Sequence, residues 1–571
     1  MTAETPPSPS TAVTERQGAA PDGDAIQLPP QKPRPESPAG RSLAVRIFDG
    51  VLVVLVAALA VFVTAQPVQN SDVLMHLATG RALVEGRYNP AAQSDPFAYT
   101  TEGVRWVNHS WLADLAAYGV YKIVGLAVPR DADAAATERR HLDATITTLA
   151  VLKAMLVAVL ALVLLRVARG GGGMVLGVVC VAFTLVAMSP YLPLRPIVVS
   201  LLFLGQTLWL LQRGGRWLHA PAQDAGPTPD EPVSWKNYWP LLPLFALWAN
   251  LDEWFLLGPI TVGLYALGQA LQANQTQRGP TAGTPRPGEV RALGVVFVVG
   301  LVACLLNPHH VFVFALPASL GFSAAADALA QDTALRQLFS SPLHPDAFLP
   351  ANLSAVRLAY LPLVAFGLLS FGVNYNNLRW WRVLTFGFFL LLSVARVWAV
   401  PFFAVVAGPI TALNFHDLIE RQAAERGRRV RRERVGPAVL TAVSLVLVLA
   451  VAWPGWLVAS STEPQKAGRH RVCFVNEVDP SYERIGRWIK EQREQESLPV
   501  FAARTAGLLG TPFGQGPLLA GSALFPGRTE QDRLQKGFCV APEIGDALAW
   551  YCPDAKSFID HRLRLFNRVA A

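Results

Sequence analysis
The chain alternates apolar runs with short polar loops over most of its length. The runs fall at about residues 47–66, 145–167, 174–190, 197–212, 239–250, 254–272, 292–306, 357–373, 383–396, 398–413 and 437–459. The first is long enough to cross a bilayer, while several others fall short of the ~20 residues of an ideal span. Together they predict an all-α polytopic membrane bundle of about eleven transmembrane helices. The run 311–322, VFVFALPASLGF, is either a re-entrant or an extra segment.

Three stretches break the rhythm and divide the chain. Residues 1–40 are rich in Pro, Ser, Ala and Gly with almost no large apolar side chain, and such a tail cannot offset its ordering entropy and is expected to be disordered. Residues 67–145 form the first outer loop of a bundle that covers 41–459. Within that loop 70–121 is polar and aromatic, with acids and histidines that a plain connector does not need. Residues 460–571 have ordinary polarity and no spanning run. In that last region GRWIKEQREQ reads as an amphipathic helix and 506–527 as loop. Ala547-Leu-Ala-Trp-Tyr and Ser557-Phe-Ile-Asp560 read as short strands, which makes a small α/β extracytoplasmic domain.

Composition agrees with a membrane class. Of 571 residues, 52% are hydrophobic and 16% charged, too apolar for a soluble globular chain. The net charge of +8 does not point to nucleic acid, because the arginines sit in short loops and not on one amphipathic face. It fits membrane orientation instead. Arg41 and Arg46 before the first run place the N-terminus in the cytoplasm. Threading alternate sides from there puts Arg166, Arg169, Arg213, Arg216, Arg379, Arg382 and the cluster 426–434 on the cytoplasmic side. The short outer loops hold almost no Lys or Arg apart from Arg195. An odd number of crossings leaves the C-terminal region outside. Five cysteines show no CxxC spacing; Cys539 and Cys552 can pair in an oxidising compartment, which leaves Cys473 unmatched.

The same threading gathers the candidate chemistry on one face. Asp72, His76, Asp95, His109, Arg195, Asp252, Glu253, His309, His310 and Arg396 all fall at external helix ends or in external loops. Asp72 and His76 share a helical face if a helix starts at residue 70 or 71. Asp72 is then either a carboxylate placed to take a proton from an incoming hydroxyl, with His76 orienting it or binding phosphate, or an ordinary helix cap. Asp95, before Pro96, is a metal- or phosphate-side carboxylate or a turn former. The segment HSWLADLAAYGVY is an amphipathic interfacial helix, and Trp106 and Trp111 are belt anchors on the bland reading. Asp252 with Glu253 offers hard oxygen ligands to a divalent cation or is simply solvated. The pair His309-His310 binds phosphate or metal or lies at the interface.

These residues resemble the GT-C superfamily of integral membrane glycosyltransferases, especially its poorly characterised bacterial branch. The likeness rests on Asp72, Gly80-Arg81, Asp95-Pro-Phe-Ala-Tyr-Thr, Trp106 with Trp111-Leu, Leu194-Arg195-Pro196, Trp248-Ala-Asn-Leu-Asp252, Asn307-Pro308 and Arg396 ahead of Val400-Pro-Phe-Phe. It runs over roughly the first 415 residues in organisation. It implies transfer of a sugar from a polyprenyl-phosphate carrier on the external face of a bacterial inner membrane, to a glycan, lipid or protein acceptor. Asp72 matches the acid that serves as base in an inverting transfer, and Arg195, Arg396 and His309 are the expected carrier-phosphate ligands. No nucleotide-binding loop is needed, and neither a GxGxxG nor a P-loop pattern occurs in a strand-turn-helix setting.

Two departures from the family pattern keep other readings open. Val73 follows Asp72 where many relatives carry a second acid, and Asp252-Glu253-Trp254 stands where a histidine is expected after Asn250-Leu251. The competing readings are a transporter or flippase of a lipid-linked or amphipathic substrate, and a non-catalytic GT-C-like scaffold.

Overall fold
In the computed structural model, the described residues are 43–92, 94–101, 104–169, 173–214, 232–276, 285–315, 341–348, 358–425, 435–452, 473–495, 542–557 and 560. The N-terminal tail, the arginine cluster 426–434, the loop 506–527, Cys539 and most of the run 311–322 lie outside them.

Each of the eleven apolar runs contains a helix. In chain order these are α1 (Leu43–Thr64), α4 (Ala134–Ala168), α5 (Met174–Met188), α6 (Ile197–Arg213), α7 (Leu241–Leu251), α8 (Leu257–Thr276), α9 (Glu289–Ala303), α10 (Tyr360–Gly372), α11 (Trp380–Ala395), α12 (Val400–Glu425) and α13 (Val435–Ala452). Two helices of the first outer loop, α2 (Asp72–Val84) and α3 (Trp111–Gly125), and two of the C-terminal region, α14 (Pro480–Gln495) and α15 (Pro542–Tyr551), complete the set. Among the described residues, five helices are long and apolar enough to cross a membrane, the mark of an integral membrane protein. The other apolar helices are shorter.

Helix α12 is the centre of the bundle. It packs on α4, α5, α6, α10 and α11, and Phe402, Phe403 and the run through Ala407 are fully buried. Gly408 lets α5 approach closely: Thr184 lies where a side chain would stand and donates from Oγ1 to the Ala404 carbonyl at 3.1 Å. Helix α1 closes one flank against α4, α5 and α13. At its end Thr64 bonds back to the Ala60 carbonyl, and the Gln66 amide caps the Val63 carbonyl at 2.8 Å.

A second core lies beside the bundle core. Val73, Leu74 and Leu77 of α2, Tyr118 of α3, Ile146 of α4 and Trp550 of α15 bury one another. Helix α4 reaches this layer because it begins a full 11 residues before its apolar stretch at 145, capped by Asp133, which accepts the Ala135 N–H at 2.8 Å. Helix α2 is sandwiched between α3 and α15 and so is buried on both sides.

The C-terminal segments are fastened onto the first outer loop. Val68 pairs in parallel with Asn476, and Ala98 with Ser557. The Arg81 guanidinium caps the end of α15, reaching the Ala549 carbonyl at 3.0 Å and the Trp550 carbonyl at 2.5 Å. It also stands 4.5 Å from the Trp550 ring.

One sequence expectation is corrected here. Residues 547–551, read as a strand, are the last turns of α15, and Gly545 through Tyr551 are buried on every side. Burial all round erases the polar positions that reveal helical period, and Trp and Tyr then bias the reading towards a strand. Among the described residues the C-terminal region is helical with isolated bridges, while the amphipathic helix expected at GRWIKEQREQ is present as α14.

Candidate functional site
Asp72 is the first residue of α2, where the helix dipole favours a carboxylate. It is buried, and its two oxygens take hydrogen bonds from Asn70 Nδ2 and Arg195 Nε. The Asn70 side chain is itself placed by the 190s turn, donating to the Leu194 carbonyl at 3.2 Å. Arg195 comes from the link that joins the 3-10 turn Ser189–Tyr191 to α6, with Pro196 stopping the link from continuing as helix before Ile197. Its guanidinium faces the Trp398 ring at 5.3 Å.

Trp398 belongs to the 3-10 turn Val397–Ala399 between α11 and α12. Arg396 caps α11 in extended conformation two residues before it. Chain segments distant in sequence therefore converge around Arg195.

They enclose a cavity of about 350 Å³ whose wall includes Gln66, Asn70, Lys153, Tyr191, Arg195 and Trp398. Lys153 was not among the sequence candidates. It is only 6% exposed, and its ammonium donates to the Leu192 carbonyl at 3.1 Å. The signal was present, since a lone cation inside an apolar run is costly and seldom idle. Lys153, Arg195 and the side-chain amides of Gln66, Gln69 and Asn70 give this cavity a polar lining that carries two cations.

One turn along α2, His76 meets α3. Its Nδ1 lies 2.6 Å from Asp114 Oδ1. The second oxygen of Asp114 accepts Asn108 Nδ2 at 2.8 Å. Burial disfavours the imidazolium, but the Asp114 charge and hydrogen bond, with a smaller push from Asp72, outweigh burial and an opposing Arg195, and raise the His76 pKa. Asp114 was also missed in the sequence, hidden in an amphipathic segment among ordinary loop acids.

The other candidates lie around this pair. His309 is fully buried, and its Nε2 sits 3.1 Å from the Asn108 backbone nitrogen, so it holds the loop that holds Asp114. Burial, reinforced by His310, depresses its pKa against a smaller opposing hydrogen bond from Asn108. His310 is exposed with φ 48°, the single non-glycine residue in the left-handed region among those described. His109 Nε2 pairs with the Val313 carbonyl at 2.8 Å. Asp95 closes its own turn, accepting the Phe97 N–H at 2.9 Å and the Thr101 hydroxyl at 2.5 Å.

Asp252 is buried and accepts from the Ser200 hydroxyl, which in turn takes Trp248 Nε1 at 2.6 Å. Glu253 opens the adjacent 3-10 turn. Among the described residues no three His, Cys, Asp or Glu side chains gather as a metal would require. Asp72 has an arginine on one oxygen and an amide hydrogen on the other, and Asp252 accepts a hydroxyl.

No family model matches the chain, and no curated protein matches it. Two solved structures are similar in chain course. One is the archaeal oligosaccharyltransferase AglB from Archaeoglobus fulgidus in complex with an inhibitory peptide and a dolichol-phosphate, with a TM-score of 0.48, 12% identity and 91% of this chain covered. The other is the Archaeoglobus fulgidus oligosaccharyltransferase in the apo form, with a TM-score of 0.47, 11% identity and 90% of this chain covered. The chain spans 65% of the length of each.

Proposed function
We propose that this protein is an inverting membrane glycosyltransferase of the GT-C kind that moves a sugar from a polyprenyl-phosphate carrier to an acceptor hydroxyl on the extracytoplasmic face. The reading takes all eleven apolar helices as crossings, with the N-terminus in the cytoplasm of a bacterial inner membrane and the C-terminal region outside. One observation carries it: the cavity with Lys153 and Arg195 on its wall is joined through Arg195 to a buried carboxylate at the head of α2.

The chemistry follows from that arrangement. The acceptor oxygen attacks the anomeric carbon opposite the carrier phosphate, a new C–O bond forms, and the old one breaks with its electron pair leaving on the phosphate. Arg195 and Lys153 stabilise the charge that grows there. The isoprenoid tail stays in lipid while its phosphate enters the cavity. A base must take the hydroxyl proton, and α2 carries two candidates on one face, Asp72 and His76. Arg396, in the link beside Trp398, is a further carrier-phosphate ligand in this reading.

Equilibrium binding of a short-chain polyprenyl phosphate to the full chain in lipid, read by tryptophan fluorescence, tests the reading. Lys153→Met is expected to weaken binding by about tenfold or more, as loss of one charge-assisted hydrogen bond does. Binding that ignores Lys153→Met refutes the cavity as the phosphate site.

A further inference from the structure
We infer that His76, held by Asp114, is the group that takes the acceptor proton, and that Asp72 serves as the counter-ion of Arg195. The inference rests on the glycosyltransferase reading and names the base within it.

Asp72 is poorly placed to accept a proton. One of its oxygens takes the Arg195 guanidinium and the other the Asn70 amide. Both oxygens are already engaged by donors, one of them a cation.

His76 has the opposite arrangement. Asp114 is 3% exposed and spends one oxygen on His76 Nδ1 and the other on Asn108. A carboxylate at Nδ1 fixes the hydrogen there and leaves the lone pair on Nε2. Nε2 makes no hydrogen bond among the described residues, and the His76 side chain is one quarter exposed. The structure therefore supplies an oriented imidazole with a buried carboxylate behind it, the arrangement that stabilises an imidazolium once formed.

The surroundings of His76 are accounted for by charge. Asp114 faces it from α3, Asp72 from its own helix and Arg195 from the link before α6. From α15, Asp546 is bonded to Ser71 at 2.9 Å, and Arg81 is taken up by the α15 carbonyls. Closeness of α2 to α3 depends on Gly80, whose missing side chain admits the Asp114 backbone and Tyr118. In the step itself, the acceptor O–H gives its proton to Nε2, its oxygen bonds the anomeric carbon, and the carrier phosphate departs with the electron pair of the old bond. Asp114 neutralises the imidazolium until the proton passes to water.

Two readouts on the full chain in lipid test this. First, carbethoxylation of His76 is followed by peptide mass spectrometry from pH 5 to 9. The expected reaction titrates above the ordinary histidine range, and its midpoint falls in Asp114→Asn. An unreactive His76, or a midpoint indifferent to Asp114→Asn, overturns the inference. Second, in sugar transfer, His76→Gln is expected to lose about 10²–10⁴-fold in kcat together with the acidic limb of the pH profile. Asp72→Asn keeps that limb. Persistence of the limb in His76→Gln, or its loss in Asp72→Asn, overturns the inference. If the unaltered chain transfers no sugar, the glycosyltransferase reading fails by itself, and carbethoxylation alone sustains or overturns the pair as a proton-accepting site.

Discussion
Arg195 and Asp72 are 123 residues apart in sequence and form an ion pair at the rim of the cavity, with the carboxylate almost fully buried and the guanidinium about one quarter exposed. An incoming phosphate and Asp72 then compete for one guanidinium. Asp72→Asn is therefore expected to tighten polyprenyl-phosphate binding several-fold, whereas removal of Arg195 weakens it. Arg195→Gln alone strands a buried carboxylate, a loss of about 3–5 kcal/mol for a fully buried pair and less at this partly open rim. The charge-neutral double variant Asp72→Asn/Arg195→Gln is expected to fold and to bind poorly. Equal binding by Asp72→Asn and the double variant contradicts the competition.

Gly80 is a contact point and not a hinge. A Cβ there lies 2.6 Å from Tyr118 Cβ and 2.9 Å from the Asp114 carbonyl carbon. Gly80→Ala is expected to destabilise the protein by about 1–3 kcal/mol through overpacking and to part His76 from Asp114. Thermal unfolding in detergent and the His76 titration check the two effects separately, and an unshifted titration contradicts the second.

How much of this was legible follows from the kind of signal each feature carries. Apolar runs mark membrane helices robustly, because a bilayer leaves backbone polar groups no other partner. The i, i+4 spacing of Asp72 and His76 likewise gave their shared face from sequence alone. That Arg195 meets Asp72 is a matter of how α6 is hung from its link, which no local pattern encodes. Lys153 was visible as a lone cation in an apolar run and was passed over. Asp114 was not distinguishable, since its meaning comes only from the ring it holds. Helix α15 was misread because complete burial removed its period.

The C-terminal clamp is expected to matter for stability. Trp550 is 2% exposed, meets the Tyr121 ring edge-on at 5.1 Å and lies against Arg81. Trp550→Ala is expected to cost about 3–5 kcal/mol by opening a cavity against α2. Arg81→Ala is expected to cost about 1–3 kcal/mol by uncapping α15. Limited proteolysis should release the C-terminal region faster in both variants. Unchanged cleavage rates contradict the fastening described here.

The His76–Asp114 pair also makes stability depend on pH with a definite sign. Its folded pKa is raised above the unfolded value near 6.5. The stabilisation is thus full below about pH 6.5 and is lost as pH rises through the folded value. The difference in Tm between the unaltered chain and Asp114→Asn should therefore shrink from pH 5.5 to pH 8.5. A gap that is flat or widens with pH contradicts the assignment.

The most direct test of the whole account is transfer of labelled sugar by the purified full chain in lipid, offered a panel of polyprenyl-phosphate monosaccharides and simple alcohol acceptors. The expected result is product from at least one donor, with the anomeric configuration inverted and the rate reduced by Lys153→Met. No product from any donor, or product with retained configuration, contradicts the account.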